Sequence, residues 1–127
     1  MNLFKAFDIP PKSSVAIVGA GGKTTLLYRL AREMAPEAAK VGGIVLITTT
    51  TKIFRPTEEE AEAVIVSAGL EEARNQIRKA ARKDVRVVLA AGSHADPRYG
   101  RDKLDGIPPD WAGPLIEMDE VAWLLVE

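Results

Sequence analysis

The run Gly19-Ala20-Gly21-Gly22-Lys23-Thr24-Thr25 has the residue types and spacing to hold a phosphate group. Glycines let the main chain curl until several N–H groups face inward, and Lys23 adds a full positive charge. The Thr24 hydroxyl is the kind of hard oxygen that Mg²⁺ accepts beside phosphate. The expected ligand is a nucleoside triphosphate, ATP or GTP, with Mg²⁺. The loop reads G-x-x-G-K-T, because Ile17 stands where the commoner G-x-x-x-x-G-K-[ST] pattern has its first glycine. A dinucleotide fingerprint, G-x-G-x-x-G/A, fails twice. Its third glycine position is Thr24, and the acid that should bind a ribose is replaced by Thr48-Thr49-Thr50-Thr51.

Three further stretches could contribute. Thr48–Lys52 brings hydroxyls and an ammonium that could lie beside the phosphates, to ligate Mg²⁺ through water or orient the γ-phosphate; threonine also suits strands and turns for its own sake. Glu127 follows the apolar run Val121–Val126, and a strand-end acid in a phosphate-loop protein joins the metal shell or activates water. Lys23 and Glu127 are therefore the catalytic candidates, and Thr24 and Glu127 the metal ligands. The stretch Gly92–Lys103 offers Arg98, Arg101 and Lys103 to phosphate or a partner carboxylate, with solubility as the equal alternative. His94 has no second histidine or cysteine to make a metal site.

These residues need a frame. Five apolar runs read as strands: Val15–Val18, Ile44–Ile47, Ala63–Val66, Val85–Ala90 and Val121–Val126. Most are continuously apolar, as strands buried on both faces are. Helical periodicity covers Thr24 to Met34, ending near Pro36, and Leu70 to Lys83; a weaker pattern spans Asp110 to Ile116. In the second helix Glu71 and Glu72 come early and Arg78, Lys79, Arg82 and Lys83 late, which matches the helix dipole. Thr57–Glu62 could make a single helical turn. Strands alternating with helices predict an α/β fold: a parallel, doubly wound, P-loop NTPase-like sheet of about five strands with helices on both faces. Ligand sites in such sheets lie beyond the strands' carboxyl ends, so Gly19–Lys23, Thr48–Thr57 and Gly92–Pro109 are expected as loops on one rim.

At 127 residues the chain is one domain long, taken as 1–127, with the N-terminal part of a longer protein as the alternative. A net charge of −1 gives no general affinity for nucleic acid or acidic membranes. The absence of cysteine excludes disulfides, iron–sulfur clusters and a thiol nucleophile. No apolar run approaches the roughly 18–20 residues of a membrane span. The first eight residues lack a signal-peptide centre; Leu3, Phe4 and Phe7 instead suggest a short docked helix stopped by Pro10-Pro11. The cytoplasm is the expected location.

The loop's length is similar to that of ATP-dependent ligases of the Mur type, a local resemblance. Over most of the chain, the phosphate loop, Leu46–Phe54, Lys103–Pro108 and the closing Leu-Leu-Val-Glu together resemble the selenium-dependent hydroxylase accessory proteins, the YqeC-like family. That resemblance implies a nucleotide-binding protein assisting maturation of selenium-dependent molybdenum hydroxylases, with such an enzyme or its cofactor as partner. It carries over Gly19, Gly21, Gly22, Lys23, Thr24 and Thr25 as the phosphate loop, with Thr49, Thr50 and Lys52 beside it. Members of the family continue past the last strand with an acidic segment, whereas this chain stops at Glu127. An ATP or GTP hydrolase is the first reading. A ligase or transferase, and a non-catalytic nucleotide-regulated binding module, are the alternatives.

Overall fold

The computed structural model describes residues 2–18, 21–96, 98 and 102–127. Five strands form an all-parallel sheet: β1 (Ser13–Ala16), β2 (Ile44–Thr48), β4 (Ala63–Val66), β5 (Val87–Ala91) and β8 (Val121–Val126). Their order is β1-β8-β2-β5-β4. The last strand in sequence therefore lies between the first two.

Side-chain parity along the strands divides the core in two. Val45, Ile47, Leu89, Trp123 and Leu125 face helix α2 (Lys23–Lys40), which buries Leu27, Leu30, Ala31, Met34 and Ala38 against them. Ile44, Leu46, Val88 and Leu124 face α3 (Leu70–Arg82) and α4 (Ala112–Ile116) through Ala73, Ile77 and Leu115. Strands buried on both sides must be apolar at every position, which is why β2, β5 and β8 read as continuous runs. The expected α/β architecture with helices on both faces is present.

Several boundaries differ from the expectation. β1 begins and ends two residues early, and Val18 is 84% exposed. An edge strand needs a ladder partner, and β8 supplies its last at Val126, which accepts from the Ile17 N–H at 2.8 Å. β1 also alternates in burial instead of being covered throughout. β5 likewise starts at Val87, not Val85. Helix α2 runs through Pro36 to Lys40. A proline forgoes one hydrogen bond to the preceding turn, and the complete burial of Met34 and Ala38 on either side of it favours continuation.

Two of the three stretches expected as loops, Thr48–Thr57 and Gly92–Pro109, contain strands. β3 (Lys52–Phe54), β6 (Ser93–His94) and β7 (Lys103–Asp105) make a small antiparallel sheet in the order β3-β7-β6. Ile53 and Leu104 turn inward and join the α2 side of the core. Thr57–Glu62 contains a hydrogen-bonded turn, with Glu60 and Ala61 N–H both donating to the Thr57 carbonyl. The N-terminal helix α1 (Leu3–Phe7) docks where expected: the Phe4 ring meets Trp123 edge-on at 5.2 Å, and the Phe4 N–H donates to Glu33 at 3.0 Å. That bond and nearby Arg29 hold the Glu33 carboxyl below its usual range.

Candidate functional site

The carboxyl ends of β1, β8 and β2 lie side by side, and the candidate residues are on the connections leaving them. Gly19 and Ala20 lie outside the described residues. Gly21 and Gly22 follow with φ of 73° and 67°, the left-handed region that glycine enters without a Cβ penalty. Gly22 is the N-cap of α2 and offers no side-chain cap. The first helical bond runs from Leu26 N–H to the Gly22 carbonyl, so the N–H groups of Lys23, Thr24 and Thr25 project from the helix end. The first turn contains no acid. Backbone donors and the positive end of an eighteen-residue helix share one place, and Lys23 is that helix's first residue.

Glu127 reaches this place from β8. Its carboxylate accepts a hydrogen bond from the Thr24 hydroxyl at 2.6 Å, across 103 residues of sequence. The structure thus brings together the two residues read as metal ligands. One hydroxyl and one carboxylate oxygen form a donor pair suited to Mg²⁺, which fills its remaining positions with water and phosphate oxygens. Among the described residues no group of three His, Cys, Asp or Glu side chains could hold a metal ion.

The threonine stretch divides by depth. Thr48 is buried, and its hydroxyl donates to the Ala90 carbonyl at 2.7 Å, stitching β2 to β5. The buried Thr49 hydroxyl donates to the Glu127 carbonyl at 3.2 Å and accepts from the Thr51 N–H at 3.1 Å. Glu127 N–H in turn donates to the Thr48 carbonyl at 3.0 Å. Thr49 thus holds the main chain of Glu127, while Thr50 and Thr51 are exposed beside it. Lys52 lies on β3 and pairs with Asp105 of β7 at 3.2 Å.

Of the other candidates, Arg98 is turned back on Asp96 at 2.8 Å, which lowers the Asp96 pKa and raises that of Arg98. His94 is exposed on β6, and Arg101 lies outside the described residues. Lys103 sits over the Phe54 ring at 4.0 Å.

Two positions escaped the sequence reading. A Cβ on Gly106 would lie 2.3 Å from the Thr49 carbonyl oxygen, so the chain after β7 can press on the threonine turn only as glycine. Its N–H donates to Thr51, and that of Ile107 donates to Thr49. Tyr28 is 3% exposed, and its hydroxyl has no partner. Burial pushes its pKa up, and the Glu60 and Glu127 carboxylates push it the same way. Aromatic residues within an apolar helical pattern give no signal of this kind.

Fold and site define an α/β protein with a glycine turn at a helix N-terminus and a strand-end acid beside it. The chain belongs to the YqeC family: the model described as YqeC protein matches residues 15–127. That membership supports a role as a selenium-hydroxylase accessory protein. No curated protein and no solved structure matches the chain. No helix among the described residues is long and apolar enough to cross a membrane.

Proposed function

We propose that this protein binds ATP or GTP with Mg²⁺ at Gly19–Thr25 and hydrolyses it while assisting the maturation of selenium-dependent molybdenum hydroxylases, in the cytoplasm. The partner would be such an enzyme or its cofactor. The observation that carries the nucleotide reading is the Thr24–Glu127 hydrogen bond at 2.6 Å, formed at a helix N-terminus that supplies no acid of its own. Helix-end N–H groups and Lys23 would neutralise phosphate charge, and Thr24 with Glu127 would hold the ion. Bound Mg²⁺ supplies further charge neutralisation on the phosphates. Catalysis by such a site is mostly positioning of an attacking water or acceptor in line with the leaving group. Thr50 and Lys52, at the mouth of the threonine turn, would border the outermost phosphate.

Calorimetric titration with ATP, GTP and CTP in the presence of Mg²⁺ tests the reading and identifies the base. Lys23→Ala is expected to weaken binding by at least about 100-fold, the loss of a desolvated charge-assisted contact. Unchanged affinity in that variant would sink the proposal.

A further inference from the structure

Two buried side-chain polar atoms among the described residues have no partner, Tyr28 Oη and Arg74 Nε. Arg74 bonds Glu71 through another guanidinium nitrogen, so its charge is met. The Tyr28 hydroxyl is the whole of that side chain's polarity and stands unmet at 3% exposure. Buried hydroxyls are ordinarily paired, because water has been given up for nothing otherwise.

Its position narrows the partner. Tyr28 follows Thr24 by one turn on the same face of α2. Helical side chains lean toward the N-terminus, so the ring extends back beneath the turn that carries Thr24. It packs in the cluster containing Ile17, at the end of β1, and Ile53 and Leu104 of the small sheet. The hydroxyl thus lies at the apolar floor of the rim.

We propose that Tyr28 is a positioning residue for Glu127, its hydroxyl kept free to hold the carboxylate when Thr24 turns to a bound ion. The inference rests on reading the rim as a nucleotide–Mg²⁺ site. In the present structure the Thr24 hydroxyl itself donates to Glu127. With its oxygen given to an ion, the Thr24 hydroxyl would hold the carboxylate less firmly. A second donor one turn deeper then fixes Glu127, as outer partners of metal ligands do. A phenol suits the task because burial keeps it protonated, and therefore a donor.

Tyr28→Phe removes one oxygen and keeps the ring. With whichever of ATP and GTP binds the parent better, nucleotide affinity without Mg²⁺ should be unchanged. The Mg²⁺ concentration giving half-maximal enhancement of binding should rise about tenfold, as for a lost hydrogen bond to a charged group. The thermal midpoint of the nucleotide-free variant should stay level or rise, since an unmet group has been removed. In a Glu127→Ala background, which removes the acceptor, the same change should add nothing. An unchanged Mg²⁺ requirement in Tyr28→Phe overturns the proposal and leaves the nucleotide reading standing, whether or not the midpoint falls. An effect that persists in Glu127→Ala overturns it too, by showing the hydroxyl on the ligand itself. A parent protein that binds no nucleotide removes both.

Discussion

Helices α2 and α3 start in the same way and finish the job differently. Each leaves the carboxyl end of a parallel strand, and each is capped by a glycine with no side-chain bond, Gly22 and Gly69. At α3 the chain supplies its own negative charge: Glu71 and Glu72 occupy the first turn, and Ser67 closes the preceding bend by accepting from the Gly69 N–H at 3.2 Å. At α2 the first turn is Lys23-Thr24-Thr25, and Gly22 is left-handed where Gly69 is extended at φ −117°. One helix end is neutralised from within. The other has no acid in its own first turn and meets a carboxylate from the end of β8, where Glu127 accepts from Thr24.

The comparison can be broken by making α2 resemble α3. Thr25→Glu puts an acid in the first turn; nucleotide affinity should fall about 100-fold while the nucleotide-free protein becomes no less stable, read by titration and thermal melting. Loss of binding together with loss of the fold would show only that position 25 is structural.

Backbone geometry sharpens it next. Gly22→Ala forces a side chain into the left-handed region and should lower stability by about 1–2 kcal/mol in denaturant unfolding. Gly69→Ala, in extended backbone with nothing within 4 Å of the added Cβ, should change it by less than about 0.5 kcal/mol. Equal effects at the two positions would erase the distinction between the turns.

The smallest effect belongs to the acids of α3. Glu71→Gln should cost about 0.3–1 kcal/mol at low ionic strength, and the loss should shrink as salt is added. A loss insensitive to salt would assign Glu71 a packing role instead.

Much of this contrast was legible in the residues. Glycine, lysine and threonine between an apolar run and a helical pattern mark the α2 turn, just as Glu71 and Glu72 mark α3. The two-sided sheet was legible because burial on both faces demands unbroken apolar runs, as in Ile44–Ile47 and Val121–Val126. What could not be read depends on partners far away in sequence. β1 stops where β8 stops offering bonds, so its end is decided 110 residues later. β3, β6 and β7 are two or three residues each, too short to show a period, and exist because they pair with one another. At the site, Lys23, Thr24 and Glu127 carry their chemistry in their types. Gly106 and Tyr28 do not: one matters through a close approach to Thr49, the other through an absent hydrogen bond.

The placement of β8 between β1 and β2 has a consequence for how the rim comes apart. Glycine turn and threonine turn have no ladder in common; each is registered on β8, which itself carries Glu127. β8 is the shared datum from which all three are measured. Fraying β8 should therefore dissolve the rim as one cooperative unit, with amide exchange at Ile17, Glu127 and Thr51 quickening together and not one after another.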